Sequence, residues 1–170
     1  MSAGDVTLPA RAAALVRQLD LRPHPEGGWY RELFRGAGAV RPADGRGERA
    51  SLTSIYFLLV AGTASRWHRV ASDEAWHLYE GDALELLELA PDATSLARHL
   101  LAPIGHATGA APVHVIPAGA WQAARPLGEY ALVGCSVGPG FDFADFTMLA
   151  DDAAASAFVR ERFPDVATLV

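Results

Sequence analysis

Gly62-Thr63-Ala64-Ser65-Arg66-Trp67-His68-Arg69-Val70-Ala71-Ser72-Asp73-Glu74-Ala75-Trp76-His77-Leu78-Tyr79-Glu80-Gly81 is the stretch from which the fold is read. A glycine precedes His68 by six positions, Glu74 follows His68 by six, and Gly81 follows Glu74 by seven. The pattern predicts strand, turn, strand over residues 64–69 and 74–79. Side chains alternate along a strand, so His68 and Val70 share a face, and Glu74 at the start of the next strand can stand opposite them. By parity with Glu74, Trp76 points inward. His77 points outward unless a bulge reverses it. A buried His facing a Glu is costly without a partner. It is kept for a metal, for proton transfer or for a buried hydrogen bond.

The strand pattern continues on both sides. Residues 29–35, 51–60, 83–89, 95–101, 113–116, 121–125 and 130–137 are further short strands, most bounded by Gly, Pro or Asp. A loop over 36–48 carries five Gly or Pro residues. An N-terminal helix is expected over about residues 8–20, with Pro9 just inside its start. A C-terminal helix is expected over about 152–163, capped by Asp151 or Asp152 and stopped by Pro164. No regular strand–helix alternation is present, so a doubly wound sheet is not expected. The strand count suits an all-β jelly roll, a double-stranded β-helix with short terminal helices.

The chain has 170 residues, 51% hydrophobic and 20% charged, which suits one domain over 1–170 with its own core. It contains no Lys and no Asn. This excludes Schiff-base and P-loop lysine chemistry, and N-glycosylation. Cys135 is the only cysteine, so no internal disulfide or cysteine zinc cluster forms. A formal charge of −6 argues against a nucleic-acid partner. The longest unbroken apolar run, 55–61, is too short to span a bilayer. The start of the chain has no cationic segment followed by an apolar core, so no signal peptide is read. A cytoplasmic protein with no membrane partner is expected.

The motif residues Gly62, His68, Glu74 and Gly81 resemble the first motif of the cupin superfamily in register. Pro117 and Gly119 fit the second motif. Ala111, Gln122 and Pro126 stand where that motif has Gly, His and Asn, and Val70 stands at the second His of the first. The segments 23–30, 67–74, 117–124 and 133–143 further resemble the cupin_5 (DUF985) family of small jelly-roll proteins. The resemblance covers about residues 10–150. It implies a jelly roll, usually a homodimer, with a pocket like that of the dTDP-sugar 3,5-epimerases (an RmlC-like barrel). Of the four usual metal ligands it leaves His68 and Glu74, with the Gln122 oxygen as a weak third.

Three readings of His68 and Glu74 follow. One is metal-independent acid–base catalysis, an epimerase or isomerase acting on a sugar or sugar nucleotide. His68 is then the base steered by Glu74, and Tyr30 or Tyr79 returns the proton. The second is a divalent metal held by His68, Glu74 and Gln122 in an oxygenase or lyase. The third is a non-catalytic metabolite-binding module. No cofactor is required by the first or third. The expected ligand-binding residues are Glu26, Trp29, Tyr56, Trp76, His77, Trp121 and Gln122. The aromatics are included because they stack on sugars and flat rings. Glu26 is either a carboxylate at the pocket mouth or one residue of a purely geometric Pro-Glu-Gly-Gly turn. His99, His106 and His114 read as exterior or loop residues. The arginines at 31, 35, 41, 46 and 49 read as a solvated loop. Gly134-Cys135-Ser136-Val137-Gly138 matches a nucleophile elbow in letters only, because Gly138-Pro139-Gly140 follows where a helix is needed.

Overall fold

The run Ile55-Tyr56-Phe57-Leu58-Leu59-Val60 has no polar face. The computed structural model, which describes residues 7–170, shows that both sides of this strand are covered. The reading of the N-terminus rests partly on residues 1–6, which lie outside the described residues. Helix α1 (Ala10–Gln18) is followed by β1 (Arg22–Pro23), β2 (Trp29–Arg35), β3 (Ala39–Val40), β4 (Arg49–Ala50), β5 (Thr53–Val60), β6 (Ser65–Val70) and β7 (Asp73–Gly81). Then come β8 (Leu84–Leu89), β9 (Leu96–Leu101), β10 (Val113–Ile116), β11 (Trp121–Pro126), β12 (Tyr130–Gly138), β13 (Phe146–Met148) and α2 (Ala153–Arg162). Six strands form one sheet in the order β1-β2-β5-β12-β7-β10, and five form the other, β13-β6-β11-β8-β9. The pairings within both sheets are antiparallel. The fold is an all-β jelly roll with short terminal helices.

The apolar residues separate into three layers. Phe57, Leu59, Trp76, Leu84, Leu86, Ile116 and Val133 fill the space between the sheets. Leu58, Val60, Trp29 and Leu132 face the other way and lie under Ala12 and Leu15 of α1. Trp67, Trp121, Leu87 and Leu89 lie on the outside of the five-stranded sheet, under Val159 of α2 and the tail residues Val166 and Leu169. Each terminal helix thus covers the outer face of one sheet, which is why the central strands carry continuous apolar runs.

The strands expected from the sequence form within one or two residues of their expected bounds. Four pieces of only two or three residues, β1, β3, β4 and β13, had no hydrophobic pattern to announce them. Two of these, β3 and β4, pair inside and beside the segment read as loop. The N-terminal helix is shorter than 8–20. Pro9 is its N-cap, and Asp20 takes a positive φ of 51° just beyond its end. Asp152 caps α2 through the Ala155 N–H. Pro164 opens a 3-10 segment, Pro164–Leu169, that carries buried Val166 and Leu169 onto the sheet. The Trp67 indole donates to the Val166 carbonyl at 3.1 Å and pins that tail.

Leu58→Ala tests this layering. The side chain is fully buried beneath α1 and off the inner face. Its truncation is expected to cost about 2–5 kcal/mol in urea unfolding. A cost below about 1 kcal/mol would mean that α1 is not pressed against the sheet.

Candidate functional site

The site begins with a turn. Gly27 and Gly28 have φ of 116° and 70°, a region that L side chains rarely adopt. A Cβ on Gly27 would stand 2.2 Å from the Ala64 carbonyl oxygen, and one on Gly28 2.7 Å from that of Leu58. The two glycines let the backbone press against the barrel, and the preceding Glu26 is driven inside. Its carboxyl is buried, with Ser65 Oγ donating to Oε1 at 2.9 Å and His68 Nε2 lying 3.2 Å from Oε2. His24 comes in with the same turn. Its Nδ1 accepts from the Glu26 backbone N–H at 3.3 Å, and its ring meets Tyr30 edge-on at 4.5 Å.

Strands β6, β7 and β11 supply the rest. Trp76 Nε1–H donates to Gln122 Oε1 at 2.9 Å. An indole nitrogen can only donate, so this contact fixes which way the Gln122 amide faces. Its NH2 group then donates to Glu74 Oε2 at 2.6 Å and to His68 Nε2 at 3.1 Å. His68 Nδ1 lies 2.7 Å from the Arg66 carbonyl oxygen, which only accepts, so Nδ1 carries the ring proton. The Nε2 of neutral His68 is therefore an acceptor. Burial pushes the Glu26 carboxyl up to about 8, against the smaller pull of Ser65 and Arg66. Near neutral pH Glu26 holds its proton, and its Oε2 O–H competes with the Gln122 N–H for the single lone pair of His68 Nε2. Burial lowers His68, opposed by Glu74 and the Arg66 bond. Burial also raises Glu74, opposed first by His68. His24 is pushed down to about 4 by burial and by His68. The site thus holds two neutral imidazoles and at least one carboxyl that is neutral at neutral pH.

A cavity of about 280 Å³ opens onto this network. His24, Glu26, Tyr30, His68 and Glu74 line it, with Glu32, Arg35, Asp142 and Phe143 among the other lining residues. Trp76 and Gln122 stand behind His68 and Glu74, fully buried. Of the other residues expected at the site, Trp29 lies under α1 and Trp121 under the α2 layer, where Arg69 stacks over its ring at 4.3 Å. Tyr56 and Tyr79 meet edge-on at 6.1 Å on the outer face of the six-stranded sheet, and His77 stacks on Tyr79. These five residues do not line the cavity, because each has the outward parity of its strand. Cys135, mid-strand as expected, is buried on the inner face and lines the cavity.

Two placements differ from the sequence reading. His99 and His114 were expected outside, yet they alternate with buried Leu101 and Ile116 and point inward. The alternation itself carried that signal. The arginine-rich loop is paired internally as well as solvated. Arg46 and Arg49 hold Asp145 at 2.6–3.0 Å, and Arg35 holds Glu32 and the Phe141 carbonyl. His24 and Ser65 are site residues that the sequence reading passed over: Ser65 stands at no motif position, and His24, inside the 23–30 segment, has no ligand spacing to the other histidines.

The usual cupin ligand positions do not make a metal set here. Val70 has no donor atom, and Gln122 turns its NH2 group, not its oxygen, toward His68 and Glu74. Among the described residues, the one group of three ligand-bearing side chains whose atoms all converge within 4.8 Å is Glu88, His99 and His114, elsewhere in the barrel. No helix of the described residues is long and apolar enough to cross a membrane.

The model of the family described as Cupin_5, Cupin superfamily (DUF985), matches residues 13–149. A hypothetical protein from Leishmania major is similar over 94% of this chain and 96% of its own, with 30% identity and a TM-score of 0.80. A protein from Shewanella oneidensis is similar over 93% and 95%, with 31% identity and a TM-score of 0.80. Oxalate decarboxylase from Bacillus subtilis shares the fold at 16% identity, with a TM-score of 0.56, over 89% of this chain and 37% of its own. No curated protein matches the chain.

The buried Glu26 carboxyl makes a stability prediction. Its folded value of about 8 lies above the ordinary 4.5, so the folded protein keeps a proton that the unfolded chain releases. The stabilisation is present below about pH 4.5 and is lost as pH rises through about 8. Relative to Glu26→Gln, the wild type is expected to lose up to about 1.4 kcal/mol per pH unit across that window. His24 works in the opposite direction and cancels, being common to both proteins. Urea midpoints of the two proteins at several pH values measure this, and parallel curves would refute the buried, protonated Glu26.

Proposed function

This chain belongs to the Cupin_5 (DUF985) family of the cupin superfamily, and we propose that it is a metal-independent acid–base enzyme of the epimerase or isomerase kind. The substrate class is a sugar or sugar nucleotide whose exchanging carbon lies beside a carbonyl. The observation that carries this reading is the neutral, tautomer-fixed His68. Its Nε2 is an acceptor, 3.2 Å from a Glu26 carboxyl that burial keeps protonated. In this reading Glu26 turns aside as substrate enters, and His68 Nε2 takes the proton from carbon. The proton gained stays on His68 Nε2, since Glu26 already carries its own. Glu74 acts through the Gln122 amide, which touches both it and His68. Tyr30 comes from β2 in the six-stranded sheet, and His68 from β6 in the other. Both line the cavity, so a proton removed from one wall can be returned from the opposite one. Arg35 is the one guanidinium among the lining residues, and a phosphate on the substrate would take its fork by displacing Glu32, which now holds it.

A non-catalytic binding module is the second reading. One observation favours it: His68 Nε2 is already faced by both Gln122 and Glu26. A homodimer is part of the proposal. Tyr79, Val113 and Val115 leave an exposed apolar area on the outer face of the six-stranded sheet that a second copy can cover.

Hydrogen–deuterium exchange at the substrate carbon, followed by NMR in D2O over a panel of keto-sugar nucleotides, tests the reading. His68→Asn is expected to slow exchange about 10²–10⁴-fold. Tyr30→Phe is expected to keep exchange but lose inversion. Exchange unchanged in His68→Asn would overturn the role of His68. Saturable binding by the wild type without any exchange would establish the binding module instead.

A further inference from the structure

A second polar cluster lies inside the barrel, away from the cavity. Glu88 is on β8, His99 on β9 and His114 on β10. Each occupies an inward position, in alternation with the buried residues Leu86, Leu101 and Ile116. Three neighbouring strands therefore place an ionisable group where the pattern calls for an apolar one, which is unfavourable unless the groups satisfy one another. They converge on one point. His99 Nε2 is 2.9 Å and His114 Nε2 3.2 Å from the same oxygen, Glu88 Oε2. The two imidazoles stack with centroids 3.5 Å apart and planes 21° from parallel.

We propose that Glu88, His99 and His114 form a binding site for a first-row divalent transition-metal ion of the Zn(II) type, distinct from the catalytic cavity. Two imidazole nitrogens and one carboxylate oxygen are the donor set that such ions favour over Mg(II) or Ca(II). In a tetrahedral zinc site, bonds of about 2.0–2.1 Å set ligand atoms about 3.3 Å apart. The two nitrogen–oxygen distances here already lie close to that spacing, so small side-chain shifts admit an ion. The three side chains are each between a quarter and a third exposed, which leaves a fourth position for water.

The place of the site in the fold assigns its role. Strand β9 ends the five-stranded sheet and β10 ends the six-stranded one. A single parallel bridge links Leu101 of β9 to Ala111, two residues before β10. An ion held by Glu88 and His99 from one sheet and His114 from the other ties the two edges together. It also stands next to the catalytic wall, since Glu88 is the cross-strand partner of Gln122 and His114 that of Trp76. The inference does not depend on the proposed acid–base reaction.

Titration of the chelator-treated full chain with CoCl2, followed by competition with ZnCl2, is the test. About one Co(II) per chain is expected, with the visible absorption of a four- or five-coordinate ion and a raised unfolding temperature. His99→Ala and His114→Ala should each weaken binding at least tenfold, while His68→Asn leaves it unchanged. Imidazole 15N NMR of the unmodified chain covers the case in which a variant fails to fold. Zinc should then shift the His99 and His114 resonances and leave those of His24 and His68 in place. No saturable binding, or binding lost in His68→Asn and kept in the other two variants, would overturn the site. So would zinc-induced shifts confined to His24 and His68.

Discussion

One indole N–H sets the chemistry of the barrel interior. Trp76 donates to the Gln122 oxygen, and because an indole cannot accept, the amide has only one orientation available to it. Its two N–H bonds are then committed to Glu74 and His68. The Arg66 carbonyl claims the other nitrogen of the same imidazole, so His68 is left with a proton on Nδ1 and a lone pair on Nε2. Glu26 can approach that lone pair only as a neutral acid, and burial favours that form. The Gln122 amide is thus held in one orientation and the His68 ring in one tautomer by groups that can only donate or only accept. In a low-dielectric interior such a network is worth keeping only when it is satisfied throughout.

The same interior asks two different things of its surroundings. The strands must bury both faces, which the terminal helices achieve by covering one sheet each. The cavity end is open to solvent, yet Glu26 beside it stays buried. The Gly27-Gly28 turn reconciles these demands. It closes tightly on the carbonyls of Ala64 and Leu58, at distances that a side chain would forbid, and delivers Glu26 and His24 from outside the sheets. The acid that faces the central histidine therefore comes from a loop near the N-terminus, not from the strand pair that carries His68 and Glu74.

Most of the fold was legible in the chain because burial on a strand has a period of two and is bounded by turn residues. The strands over residues 53–60, 84–89 and 130–138 stand out instead as short apolar runs bounded by turn residues, because both of their faces are covered. The parity of Trp76 inward and of His77 outward followed from the period-of-two rule. Strands of two or three residues escape it, since a period cannot be seen in so few positions. Of the site, His68, Glu74 and Gln122 were visible through their motif positions, and Tyr30 and Glu26 through the Pro-Glu-Gly-Gly-Trp-Tyr segment. Tyr79, Tyr56 and Trp29 were grouped with them for being aromatic, but residue type does not say which face of a sheet a side chain takes.

The amino-acid sequence by itself determined the jelly roll, the family and the strand positions of His68 and Glu74, because these depend on local alternation and on motif spacing. Tertiary structure decided what those residues touch. It brought Glu26 across a separation of 42 residues to within 3.2 Å of His68, and it turned the Gln122 amide so that it cannot offer oxygen to a metal. It also gathered Glu88, His99 and His114 from three strands onto one point. Those outcomes rest on sheet order and on the close approach of glycine backbones. These are contacts between segments far apart in the chain, and no local pattern records them.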